Sequence, residues 1–383
     1  MAALDTISGS FIHSVFRYRD PTGTGNVFEL VRIYIVAVLF TIGPLFIAAL
    51  FSPLSLTEAS AVHKLPFLKD WNVLFMFFIS FPSLLILTVT DQNILKRSLQ
   101  SVYSDNTITF VEGSALKLCG RWQRRFRLTN WAAQAIGTCV GGLVAYFNYI
   151  ACVPAAVGFW IADEGNLLPV GVFFLFCIFI FYVVVTVYVV RSIAMSVFLK
   201  DVVASSQLHL LPLHPDKSGG LRPIGHLGLR NQYVLSLLGL NLLLMAVIYS
   251  SVLSLTSYLG GLIAAAVCAY LFLGPIVFVA PLLPFRAGML DSKNQLTGEI
   301  AKRLRLELDR IRTQIESGKI SKEDEELIDR LRKIGAILDE LPVWPFDTGT
   351  LRKFLTAYFI PIASTLAAPF LKVMFDVVKD RIS

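Results

Sequence analysis

Three of the five histidines in this sequence, His209, His214 and His226, fall in one charged segment. Asp216 and Lys217 stand beside the middle one, in Leu213-His214-Pro215-Asp216-Lys217-Ser218-Gly219-Gly220-Leu221. Imidazoles and a carboxylate are ligand types for a divalent metal. Their spacing matches no metal motif, however, and no HxxxH or CxxC completes a set. The same loop offers a second chemistry, because backbone amides around Ser218 to Gly220, with Lys217, can bind a phosphate or an anionic headgroup. The GxxxxGK[ST] order of a nucleotide-binding loop is absent. A third reading needs no ligand: Pro215 fixes a turn, Asp216 caps it, and Gly219 and Gly220 supply positive φ.

The remaining candidates are mild polar residues in apolar surroundings. Gln134, Thr138 and Asn148 lie in one apolar stretch, Thr186 in another, and Asn241 and Ser250 in a third. Gly137 and Gly141 are spaced four apart, and Gly142 extends the pattern. Small residues at that spacing let helices approach closely. The face of Gln134, Thr138, Gly141 and Asn148, with Asn241, is therefore either a packing seam or a pore lining. The charge-free stretches hold no ionisable residue by construction, which argues against a proton-coupled transporter. No nucleophile has a partner base, so no catalytic set and no cofactor is expected.

The elements that carry these residues are set by where charge is missing. Charged residues make up only 16% of the 383 residues, apolar ones 55%, and the mean hydropathy is +0.66. A soluble domain carries roughly 25% charge. Crossing a bilayer takes about 20 apolar residues, and a helix hides its own backbone hydrogen bonds while doing so. Charge-free stretches run over 33–57, 71–90, 128–162 and 166–190. Of the 24 residues 167–190, eighteen are Leu, Ile, Val or Phe. At roughly 0.3–0.6 kcal/mol each, they favour insertion by about 5–11 kcal/mol. A further 55 residues, 231–285, carry no charge, enough for two spans with a turn near 256–260. The expectation is an all-α polytopic membrane bundle of six spans over 31–285, after an N-terminal segment 1–30.

Basic residues alternate with the spans. Lys96, Arg97, Lys117, Arg121, Arg124, Arg125 and Arg127 follow the second span, and Arg191, Lys200, Lys217, Arg222 and Arg230 follow the fourth. The loop between the third and fourth has only Asp163 and Glu164. Positive loops face the cytoplasm, so both termini and the loops at 91–130 and 197–230 are expected there. Neither loop is long enough to bury a core of its own. Thr107 to Val111 reads as a short extended piece. The net charge of +7 is explained by these flanks and does not point to nucleic acid. No CxxC pair occurs among Cys119, Cys139, Cys152, Cys177 and Cys268, and no Asn-x-Ser/Thr sequon is present. Arg17, Arg19 and Asp20 interrupt the first thirty residues, so no cleavable signal is expected there.

Residues 286–350 change character. Leu296, Ile300, Leu304, Leu308, Ile311 and Ile315 form one helical stripe, and Leu327, Leu331, Ile334, Leu338 and Leu341 form another. Ser317-Gly318-Lys319 separates them, so an αα-hairpin is expected, packed on itself or joined to a second copy. Pro342-Val343-Trp344-Pro345-Phe346-Asp347 follows, with Trp344 and Phe346 suited to an interfacial anchor. Residues 351–383 hold an 18-residue apolar run, 354–371, broken by Pro361 and Pro369. It reads as a seventh span, a re-entrant helix or an amphipathic helix, and Lys372, Lys379 and Arg381 favour one that does not cross fully. The Leu213–Leu221 loop together with Pro342–Asp347 resembles a group of uncharacterised bacterial multi-pass membrane proteins. That resemblance implies a bacterial inner-membrane home and no mechanism.

Three functions fit these residues. One is a homo-oligomeric, channel-like or transport-related protein. Another is a scaffold or sensor whose basic face binds a partner or anionic lipid. The last is a headgroup-level enzyme using His214 and Asp216.

Overall fold

The computed structural model describes residues 27–363, except 53–55, 58–63, 111–112, 155–156, 212–213, 217, 253–256, 317–321, 340, 347–348, 350, 353 and 357. It is an all-α bundle in which six helices are long and apolar enough to cross a membrane. The first is α1, Val27–Leu50. The second begins as α2, Trp71–Phe75, passes through a π-helical turn at Met76–Ser80, and continues as α3, Phe81–Ser104. Asp70 starts it, its carboxylate accepting the Val73 amide at 3.2 Å. Pro82 follows the π-helical turn, in which the Phe81 amide bonds to the Met76 carbonyl.

Helices α4, Ser114–Cys152, and α5, Pro169–Ala204, form the most extensive interface of the bundle. They are 39 and 36 residues long, roughly 54–59 Å at 1.5 Å per residue, well beyond a hydrocarbon core of about 30 Å. Between them, β2 (Ala162–Asp163) and β3 (Asn166–Leu167) make a tight hairpin. Its turn residues Glu164 and Gly165 both have positive φ, which matches the right-handed twist of the flanking strands. Helices α6, Arg222–Val252, and α7, Ser257–Val279, pack on each other, and residues 253–256 of the expected turn lie outside the described residues. Pro281 falls in the break between α7 and α8, Leu283–Glu316, as a residue lacking an amide donor should. Helix α9, Lys322–Asp339, packs back on α8 and buries Leu331 and Leu338.

The helices run on past the charge-free stretches into a second core, which the sequence had not led us to expect and which also takes in Leu235, Leu242, Tyr270 and Phe278 of α6 and α7. Segments 91–130 and 197–230 cannot each bury one, but together they do. Leu95, Val102, Ile108, Trp122, Phe126, Phe198 and Leu199 come together there with Leu221, Phe285 and Met289. β1 (Ile108–Phe110) and β4 (Ser206–Leu208) pair antiparallel across it, so the expected extended piece at 107–111 is a real strand over its middle. Trp344 and Phe346 pack on the same core. The Arg286 guanidinium lies 4.8 Å over the Trp344 ring, and Phe346 approaches Phe278. The short helix Phe354–Ala363 lies on α7, with Phe354 stacked on Phe278 at 3.6 Å and Tyr358 on Tyr270 at 5.2 Å. The remainder of the 354–371 run lies outside the described residues.

Candidate functional site: a buried charge cluster

The charge-free test ended the second and fourth spans before Asp91 and Arg191 and placed Arg230 ahead of the fifth. The helices do not end there. α3, α5 and α6 continue unbroken through these residues and bury all three. The helices that hold the charge-free stretches thus extend past their ends and bring the three charges together. Asp91 stands between two guanidinium groups, with Arg191 Nη2 at 4.0 Å and Arg230 Nη1 at 3.9 Å. The three side chains are 10%, 8% and 6% exposed.

Carbonyls and a hydroxyl of α3 supply the remaining partners. Arg191 Nη1 donates to the Thr88 carbonyl at 3.4 Å. Arg230 Nη2 donates to Thr90 Oγ1 at 2.7 Å and to the Leu87 carbonyl. Thr90 can accept because its own hydroxyl proton goes to the Ile86 carbonyl. Beside the charges, Tyr188 Oη donates to Asn231 Oδ1 at 2.6 Å, and Asn231 Nδ2 donates to the Val277 carbonyl at 2.7 Å and to Ser192 Oγ at 3.2 Å. One polar layer thus ties together α3, α5, α6 and α7. Two guanidiniums against one carboxylate leave a net charge of +1 inside an apolar bundle. Arginine does not escape by losing its proton. Among the described residues, Arg230 Nε makes no hydrogen bond.

A second buried carboxyl marks the other end of the bundle. Asp70, outside the second span, is fully buried; Trp160 Nε1 donates to it at 3.0 Å. Burial pushes this carboxyl up to about 6, against the pull of Trp160 and the Val73 amide. Asn72 and Tyr249, hydrogen-bonded at 3.3 Å, adjoin it.

The histidine loop has a different character. Asp216 Oδ1 accepts the amides of Ser218 at 2.9 Å and Gly220 at 3.1 Å, and Oδ2 accepts the Arg222 amide at 3.2 Å. His214 Nδ1 lies 2.7 Å from Oδ1. Burial pushes this carboxyl up, but the amides and His214 outweigh it and hold it down at about 2. The loop's own carboxylate therefore fills the amide concavity and leaves these three amides engaged. Gly219 and Gly220 do have positive φ. His209 points elsewhere, with Nε2 at 3.1 Å from Thr109 Oγ1 across the β1–β4 pair. Lys217 lies outside the described residues. Among the described residues no three His, Cys, Asp or Glu side chains group as a metal would require.

Along α4 the mild polar residues divide between two faces. Gly137 and Gly141 face α5 so closely that a Cβ at Gly141 would meet the Phe179 carbonyl at 2.7 Å. Asn148 is buried on that side and bonds its own helix at Val144. Thr138 is exposed, bonded to the Gln134 carbonyl. Asn241, on α6, donates to Ser80 Oγ at 2.7 Å inside the bundle. Comparison of the chain with protein-family models, curated proteins and solved structures returns no match.

Proposed function

We propose that this chain is a multi-pass membrane protein of the transport-related, channel-like kind, and that the Asp91–Arg191–Arg230 cluster gives it a preference for anions. The carrying observation is the net positive charge held by three apolar helices away from water. Charge at membrane depth is costly, and it is typically kept where an ion or substrate passes. The basic ends of the helices belong on the cytoplasmic side in this reading. The bacterial inner membrane implied by the loop resemblance is its natural home. A second copy of the chain is the proposed partner, meeting it at the outer face of α4, where Thr138 is exposed and Gly142 has open space around it.

The test is chloride efflux from KCl-loaded liposomes containing the purified protein, with valinomycin supplying the potassium path. Efflux above that of protein-free liposomes is expected. Equal rates would remove the proposal.

The scaffold or sensor reading rests on the second core, because ordering segments 91–130 and 197–230 around shared apolar residues exceeds what an anchor needs. Liposomes without flux, from protein that retains its thermal transition, would favour it. The enzyme reading has less support, since Asp216 is engaged by three amides of its own loop.

A further inference from the structure

Past the buried charge cluster, toward the end of α3 and the start of α6, lies an open cavity of about 480 Å³. Its walls come from three segments. α3 contributes Arg97, Ser98 and Ser101; the histidine loop contributes His214; and the start of α6 contributes Arg222 and His226. The acidic members of the wall are Asp105 and Asp216. Asp105 is exposed beside the C-terminus of α3, and Asp216 spends both oxygens on backbone amides. Arg97, Arg222, His214, His226, Ser98 and Ser101 thus border one open space, larger than a single phosphate needs.

We infer that this cavity binds a phosphate-bearing anion, either a small phosphorylated solute or the phosphate of a lipid headgroup. Guanidinium groups present paired donors that match phosphate oxygens, and imidazole and serine add single donors. The Asp216 turn fixes the floor independently of ligand, because its amide bonds are made within the loop. The site is therefore expected to be preformed. Arg222, His226 and Arg230 recur every four residues on α6, so the cavity and the buried cluster share one helix face. Binding here does not depend on conduction and stands or falls separately from it.

The experiment uses purified full-length protein in two arms. In the first, inorganic phosphate is titrated in detergent and followed by thermal midpoint and isothermal calorimetry, with chloride at matched ionic strength as control. In the second, the protein is placed in phosphatidylcholine nanodiscs with or without phosphatidic acid. A rise in midpoint with inorganic phosphate would identify a soluble ligand, and a rise confined to phosphatidic acid discs would identify a lipid. Either supports the site, provided that Arg222→Gln combined with His226→Gln weakens binding at least tenfold and leaves the ligand-free midpoint unchanged. Lys302→Gln, on the basic surface of α8, serves as a charge-matched control and should leave binding intact. No response in either arm overturns the inference. So does equal loss from Lys302→Gln, which would show diffuse charge attraction only. If the double variant fails to fold, Arg222→Lys carries the test: a single ammonium should bind phosphate more weakly than the guanidinium, and unchanged affinity would count against the site.

Discussion

At the residue scale, the decisive feature is one carboxylate shared by two buried arginines. Removing one partner from a buried ion group leaves charge without compensation, typically at about 3–5 kcal/mol. Asp91→Asn is therefore expected to lower stability by about that amount, seen as a large fall in the detergent thermal midpoint. Asp91→Glu should recover part of it. Asp70 acts in the opposite sense to Asp216. Its folded value near 6 exceeds the 3.8 of an unperturbed aspartate, so the folded state holds the extra proton between those values. Its contribution is full below 3.8 and is lost as pH rises through 6. The thermal midpoint should fall as pH rises from 3.8 to about 6 through this group, and Asp70→Asn should flatten that slope. Asp216 is held at about 2, so its contribution is present above 3.8 and is lost as pH falls toward 2.

At the scale of elements, the charge-free stretches located all six long apolar helices, because hydrophobic length is written locally in the chain. The same test hid the buried cluster. It treated every charge as a boundary, whereas burial of Asp91 depends on Arg191 and Arg230 arriving from helices about 100 and 140 residues away. Partnership over such distances leaves no local trace. The small residues of α4 were legible as close-packing positions, but only the fold separates Gly141 from Gly142. Gly141→Val would drive a side chain into the Phe179 backbone, so a clear loss of stability is expected. Gly142→Ala meets nothing within 4 Å and should be neutral or mildly stabilising, since alanine favours helix by about 1 kcal/mol over glycine. Thermal midpoints of the two variants in one detergent check both. The Asp216 turn was readable from Pro215, Gly219 and Gly220. Its carboxylate filling the amide concavity was not, since either occupant suits the same sequence.

For the whole molecule, six long apolar helices form a slab, and a second core joins them to the segments between. The slab was evident in composition. The second core was not, because two loops, α8 and the Trp344–Phe346 segment, none of them apolar enough alone, assemble it against α6 and α7. Sidedness can be read in cells with single cysteines in a cysteine-free chain. Glu164→Cys, at the tip of the β2–β3 hairpin, should react with a membrane-impermeant maleimide in intact cells. Glu299→Cys, exposed on α8, should react only after permeabilisation. The most direct measurement concerns the buried charge itself: the reversal potential of the reconstituted protein in a planar bilayer under a KCl gradient. Wild type should reverse near the chloride equilibrium potential, and Arg230→Gln, which leaves one arginine matched to one aspartate, should move it toward zero. A wild-type reversal near the potassium potential, or no current from folded protein, would contradict an anion-selecting cluster.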